Sequence, residues 1–412
     1  MKLSVFTHPS RFFVLCGGII IASCLVLWQA RASEPAPVRP IAHEDAGQRV
    51  DVWQRESGLP PKAITALAQT NDGYLWLGTL AGLVRFDGQR FVTYDKQTTP
   101  EIRDNNVLAL CATRDGSLWL GTDGGGLVHQ RDGKFTQYTT QQGLSDDHVR
   151  ALAEDAQGVL WIGSERGLTQ FANEQFNHLE VQNNGRRWAV TALLAARDGS
   201  LWLGTEGGGI ANFKNNAFNF LTAQNGLAND RVLALHEARD GGLWIGTDGG
   251  VSVWRNGKFT TYTRKDGLPA DTIWTLRETR DGELWAGTDG GLAVWRAGQW
   301  TPLPNNDSAI VLSLFEDRDG SLWVGTQTNG LQRLRGNAPA TEVPRALPRA
   351  LPRALPRALL EDAKLNGKSV NLNVLASVPR ERGDLYFRFS ALSLLDPSNV
   401  RFRYRLDGYD SD

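Results

Sequence analysis

The string Asp-Gly-x-Leu-Trp-x-Gly-Thr, or a near variant of it, occurs seven times along the 412 residues of this chain. Its tryptophans are Trp76, Trp119, Trp161, Trp202, Trp244, Trp285 and Trp323, spaced 43, 42, 41, 42, 41 and 38 residues apart. A unit this short cannot bury its own apolar faces. Repeats of this kind stack on one another, and a period near 42 is that of one four-stranded propeller blade. The second repeat shows the plan. Val107–Ala112 is a short apolar run, Asp115-Gly116 a tight turn, Leu118–Thr122 a second strand, and Asp123–Gly126 another turn. Leu127–Gln130 then makes a third strand, and Asp132-Gly133 turns into Phe135–Tyr138 as the fourth. Each run has strand length, and each connection carries Gly or Asp, which accept turn backbone. No stretch of the repeats has a sustained helical period.

The repeated tryptophans read first as packing. A large flat side chain at a fixed place fills the widening gap between neighbouring twisted sheets, and its burial is worth a few kcal/mol (~2–3). The ends of the array are complementary. The seventh repeat lacks an outer strand after Leu331–Gly336, whereas Val50-Asp-Val-Trp53 followed by Ser57-Gly-Leu-Pro60 aligns without a gap on Phe259–Tyr262 and Asp266–Pro269 of the fifth. Residues 49–55 are therefore expected to pair with the seventh blade, closing the ring and removing two open sheet edges. The expected fold is all-β, a seven-bladed β-propeller of four-stranded blades over residues 45–337, followed by a partial β-sandwich.

The flanks read differently. Lys2 and Arg11 precede an uncharged stretch from Phe12 to Ala30, which Arg31 ends. Residues 1–32 are an export segment with three readings: cleavage after Ala32, lipidation at Cys24, or an uncleaved inner-membrane anchor. All three place residue 40 onward in the periplasm. Cys16 and Cys24 lie in that stretch, so Cys111 is left without an intramolecular disulfide partner and the fold must hold by packing. Pro-Arg-Ala-Leu repeats four times over 344–359. Spaced prolines forbid a regular helix, so 338–360 reads as a solvated linker. Residues 361–412 read as a short β region, with alternation at Leu385–Ser390 and Val400–Leu406 and a turn at Asp407-Gly408.

Asp240-Gly-Gly-Leu-Trp-Ile-Gly-Thr247 and its equivalents resemble the two-component regulator propeller repeat. Phe387-Arg-Phe-Ser-Ala-Leu392 and Val400-Arg-Phe-Arg-Tyr-Arg-Leu-Asp-Gly-Tyr-Asp410 resemble the start of the Y_Y_Y domain. That domain is the β-sandwich that follows such propellers in bacterial sensor histidine kinases and diguanylate cyclases. The resemblance spans residues 45–335 and 361–412. It implies a periplasmic input region of a two-component-type receptor, with a dimer through the Y_Y_Y region and a kinase or cyclase output beyond it. The sequence stops inside the sandwich, and the output domain is expected to be absent.

No catalytic constellation is legible. The six histidines are scattered, and there is no HExxH, CxxC, G-x-S-x-G or GxxxxGK[ST] string. No cofactor or metal is implied, and no enzyme activity is expected. The net charge of −1, with no basic block, speaks against a nucleic-acid partner. Asp123-Gly-Gly-Gly126 and Glu206-Gly-Gly-Gly209 look like phosphate loops, but they recur where a blade turns and no helix or Lys follows them. Ligand contacts are expected on the face holding the inner-strand entries and the turns between second and third strands. His148, Arg187, Trp188, Arg231 and Trp274 fall at entries, and Asp123, Glu206, Asp248 and Asp289 in turns. The fourth repeat departs most, with Gly185-Arg-Arg-Trp188 where others read Gly-Leu. Two arginines and a tryptophan there could grip a carboxylate, a sulfate or a sugar; the plainer alternative is a variable surface loop. The expected function is sensing of a small-molecule or carbohydrate ligand. The alternatives are a protein-binding scaffold, which predicts a broad exposed apolar patch, and a carbohydrate-active propeller enzyme, which predicts acids gathered at the axis.

Overall fold

The computed structural model describes residues 4–6, 40–45, 48–303, 309–335, 358–365, 368–369, 385–391 and 401–403. Six four-stranded antiparallel sheets and one five-stranded sheet make seven blades. Their inner strands are Ile64–Gln69, Val107–Ala112, Val149–Glu154, Val190–Ala195, Val232–Glu237, Ile273–Glu278 and Val311–Glu316. Each touches the next and the last touches the first, so the ring is closed.

The repeated string explains how blades pack. The second strand, Leu118–Thr122 in blade 2, is buried at every position because both of its faces meet neighbouring blades. Its tryptophan reaches an aromatic ring on the third strand of the following blade. Trp119 meets Phe171, Trp161 meets Phe213 and Trp244 meets Trp295, with ring centroids 5.3–5.8 Å apart. The glycine two residues on is a close-approach position. A Cβ on Gly121 would lie 2.5 Å from Val149 Cγ1, and one on Gly163 2.7 Å from Val190 Cγ1. The threonine that follows closes the next turn, as when Thr122 Oγ1 donates to the Gly126 carbonyl at 2.8 Å. In Leu-Trp-x-Gly-Thr the Trp, Gly and Thr thus each have a partner of their own.

Ring closure follows the expected logic. Gln48–Trp53 is the fourth strand of blade 7, with Arg49 opposite Arg335 and Trp53 opposite Leu331. The pairing ends at Trp53; Arg55–Ser57 turns off as a 3-10 helix capped by Gly58 at φ 79°, which shortens the expected 49–55 segment by two residues. Asp51 is fully buried and receives Arg333 Nη2 at 2.5 Å and Arg335 Nη2 at 3.2 Å. Trp53 stacks on Trp323 at 5.3 Å, and the Arg333 guanidinium lies over both rings. Ile41–Asp45 adds an unforeseen fifth strand outside the closing one.

The end of the ring that carries the Asp-Gly hairpins is laced by arginines. Arg114, Arg197, Arg239, Arg280 and Arg318 each reach backbone carbonyls in the hairpin of the following blade. Their own backbone N–H groups donate to Glu154, Glu237, Glu278, Glu316 and Gln69 of that blade.

A second unit holds the other described strands. Ala358–Leu365 pairs with Lys368–Ser369 and with Leu385–Ala391, and Ser4–Phe6 pairs with Arg401–Arg403. The apolar stretch 12–30 and linker residues 338–357 lie outside the described residues, as does most of the expected sandwich. Among the described residues no helix is long and apolar enough to cross a membrane.

Candidate functional site

Every inner strand enters its blade through a bulge at the same place. In blade 3, Val149 pairs with Ser164 and Ala151 with Gly163, leaving Arg150 as the extra residue. The same irregularity recurs in the other six blades and singles out Thr65, Leu108, Thr191, Leu233, Trp274 and Leu312. A bulge re-aims a side chain and frees it from the pleat, so these are the positions where one blade can differ from another without disturbing packing. The flanking Val or Ile and Ala, Thr or Ser are held by the neighbouring glycine.

The turns between second and third strands sit at the same end. In blade 4, the Gly207 and Gly209 N–H groups both donate to the Asp230 carbonyl of blade 5, at 3.1 and 2.9 Å. In blade 2, Gly124 and Gly126 do the same to Asp147 of blade 3. These amides are spent on fastening blades, so neither triple-glycine turn cradles a phosphate.

Three blades contribute to one chain of ion pairs. Arg231 Nε lies 2.5 Å from Glu206 Oε1, and its Nη1 lies 2.8 Å from Asp248 Oδ2. Arg150 Nη1 lies 3.4 Å from Glu206 Oε2, and its Nη2 bonds Glu165. The order is Glu165, Arg150, Glu206, Arg231, Asp248, all partly exposed. The Asp248 hydrogen bond raises the Arg231 pKa, aided by Glu206 and opposed by partial burial. Alongside, Trp274 Nε1 donates to Asp289 Oδ1 at 2.6 Å. On the other side, His148 Nδ1 sits 3.0 Å from Asp146 Oδ1, which raises the imidazole pKa, and Arg166 pairs with the same carboxylate. Asp123 forms a bridge with His148 in backbone register.

Arg231, Glu206 and Asp248 are therefore brought into one hydrogen-bonded group, while Asp123 and His148 stand opposite each other in a backbone bridge. Arg187 is placed otherwise: it is exposed in a two-residue hairpin, Gln182–Asn183 with Arg186–Arg187, where it pairs with Glu180 at 2.6 Å. Trp188 is half-buried, with the Arg186 guanidinium 4.0 Å from its ring. A Cβ on Gly208 would fall 2.7 Å from that ring, so the glycine backbone fills the space beside it. Arg150 escaped sequence reasoning. Its signal was present, because it is the one charged residue at the bulge position, but that position is defined only by pairing.

Six segments match the family described as two component regulator propeller. They are residues 58–81, 101–124, 143–166, 226–249, 267–290 and 303–328, which leaves the fourth repeat, the one with the Arg186–Arg187 hairpin, outside the match. No curated protein matches the sequence. Among solved structures, the extracellular domain named for a hybrid two component system of B. thetaiotaomicron superposes with a TM-score of 0.60 at 21% identity, over 70% of this chain and 42% of that one. A second such domain from the same organism gives 0.57 at 22%, over 70% and 39%. The chain thus spans about two fifths of the length of these relatives. Virginiamycin B lyase from Staphylococcus aureus gives 0.57 at 14%, over 70% of this chain and 99% of the lyase. An enzyme and a receptor domain share the architecture, so the fold alone does not choose between them.

Proposed function

We propose that this chain is the periplasmic input region of a two-component-type receptor and binds a small polar ligand at the bulge face of blades 3–6. The observation that carries this reading is the match of six repeats to the two component regulator propeller, in register with the Trp spacing. The B. thetaiotaomicron domains of similar fold are extracellular parts of such systems, which supports a periplasmic address. The C-terminal region is read as the start of a Y_Y_Y domain that relays the signal and supports a dimer. The N-terminal segment is read as the export signal or inner-membrane anchor.

The ligand class follows from the ion pairs. Arg150 and Arg231 are already charge-balanced by Glu165, Glu206 and Asp248, which reduces what a simple anion gains by binding there. A polyhydroxy ligand can instead accept from the guanidinium edges and donate to carboxylate lone pairs while the network stays whole. The Trp274 ring beside Asp289 supplies apolar surface for its C–H face. This favours a carbohydrate over a carboxylate or sulfate. A scaffold for protein partners would present a broad apolar patch. The exposed large hydrophobics among the described residues are Ile41, Leu80 and Val92, one each on strands Ile41–Asp45 and Phe91–Tyr94 and one in the turn after Leu75–Thr79.

Thermal unfolding of the whole chain against sugars, organic acids and sulfated compounds tests the reading, because binding to the folded state raises Tm by mass action. The expected result is a saturable rise with an oligosaccharide that Arg231→Ala and Trp274→Ala each abolish and Arg187→Ala leaves intact. A shift that survives both substitutions, or one confined to sulfated compounds, would refute the site as drawn.

A further inference from the structure

The arginine lacing at the hairpin end is interrupted between blades 3 and 4. The position held by Arg114, Arg197, Arg239, Arg280 and Arg318 is Ala156 in blade 3. The position of its glutamate partner, Glu154 in blade 3 or Glu237 in blade 5, is Ala195 in blade 4. Both halves of the fastening are lost together. The blade 1–2 junction lacks both as well, with Asn71 and Ala112 at these positions, but there Asn71 Nδ2 still reaches the Arg114 carbonyl at 3.3 Å. Ala156 has no side chain that can reach blade 4.

A cleft of about 410 Å³ lies at this junction, walled by Asp155, Ala156, Ala196, Trp161, Phe213 and Lys214 among others. At other junctions the guanidinium ends on two successive carbonyls of the next hairpin. Arg114 ends on Asp155 and Ala156, Arg239 on Thr279 and Arg280, and Arg280 on Asp317 and Arg318. The equivalent carbonyls in blade 4 belong to Ala196 and Arg197, and Ala196 lines the cleft.

We propose that this cleft binds a guanidinium group from outside the chain, which occupies the place the missing arginine leaves. The chain carries its own precedent, since the same hairpin backbone receives a guanidinium at five other junctions. The planar cation would donate in the plane of the two carbonyls, a geometry that an ammonium does not reproduce. Trp161 and Phe213 offer ring surface to the stem and to the weakly hydrated cation. The site lies at the opposite end of the blades from the bulge face and does not rest on the sensing assignment. The guanidinium could belong to a free small molecule or to an arginine side chain of a polypeptide.

Calorimetric titration of the whole chain decides it, with agmatine, putrescine and the capped peptide acetyl-Gly-Arg-Gly-amide as probes. Agmatine is expected to bind saturably and at least tenfold tighter than putrescine, which has the same chain without the amidine. Ala156→Arg supplies the missing side chain and is expected to weaken agmatine at least tenfold while Tm holds or rises. Lys214→Ala removes a competing cation that pairs with Asp198 at 2.8 Å, and is expected to tighten binding several-fold. A tighter peptide than agmatine assigns the site to a protein arginine, and the reverse order assigns it to a metabolite. The proposal fails if agmatine binds no better than putrescine, or if a folded Ala156→Arg protein binds it undiminished. Should Ala156→Arg not fold, an agmatine affinity unchanged by Lys214→Ala overturns it.

Discussion

At the scale of single residues, what holds the ring is a set of contacts that leave no spare volume. Gly121 has ordinary extended backbone, and its constraint is space: a methyl group there would meet Val149 Cγ1 at 2.5 Å and the Val149 carbonyl at 2.8 Å. Gly121→Ala is expected to cost about 1–3 kcal/mol as an overpacked core does, read as a lowered urea midpoint. Val149→Ala in the same chain should recover part of the loss. Gly78→Ala should cost less, because its nearest neighbour, Val107 Cγ1, is 3.0 Å away. A second residue gives a pH signature. Burial and then Arg277 lower the His236 pKa, outweighing Glu278, and its Nε2 accepts the Glu278 N–H at 3.3 Å, which requires the neutral ring. The folded protein then binds a proton less readily than the unfolded chain. Stability from this group is present above the unfolded value near 6.5 and is lost as pH falls below it. Denaturant midpoints at pH 8 and pH 5 should converge in His236→Gln relative to the unsubstituted protein, and an unchanged pH slope would assign the loss to other groups.

At the scale of elements, the closing strand is the decisive piece. Every other blade is made from one continuous stretch, while blade 7 joins Gln48–Trp53 to Leu331–Arg335 across almost the whole repeat array. The loop that closes this pairing is long, so its entropy is paid by local contacts, of which the buried Asp51–Arg333 pair is the most polar. Burial lowers the Arg333 pKa and the neighbouring Arg335 adds to this, so the Asp51 carboxylate is needed to hold the charge. Asp51→Asn is expected to cost about 3–5 kcal/mol, the penalty of leaving one member of a buried pair uncompensated. Chemical denaturation measures it. The outer Ile41–Asp45 strand is exposed at Ile41 and Ala42 and pairs along the closing strand.

At the scale of the molecule, each inner strand contacts both neighbours around the ring, so the seven blades are expected to unfold as one cooperative object. Hydrogen exchange should report similar protection for the second strands of all seven blades. In Asp51→Asn, protection should fall first in blades 1 and 7, which flank the seam. A uniform fall would mean that the seam contributes no more than any other junction. Both proposed sites sit where the repeats differ. One end carries variable bulge residues over a constant scaffold, and the other carries an arginine lacing that two of the seven junctions lack, one of them bridged by Asn71.

Much of this was legible in the chain itself. The Trp spacing, the turn residues and the match between the first and last segments determine the number of blades and the closing strand, because each depends on local patterns that repeat in register. Even the fourth repeat announced its departure through Gly185-Arg-Arg-Trp188. What pairing across distance decides was not legible. Arg150 is 56 residues from Glu206 and on another blade, so their contact exists only once the ring is closed. Arg187 and Trp188 are adjacent in sequence, yet a short hairpin sends one to Glu180 and the other against Gly208. Ala156 and Ala195 look like ordinary small residues until five arginines around the ring show what is missing beside them. Sequence specifies which residues repeat, through local propensity and period; only the closed ring decides which of the exceptions meet, because they lie on different blades and share no local pattern.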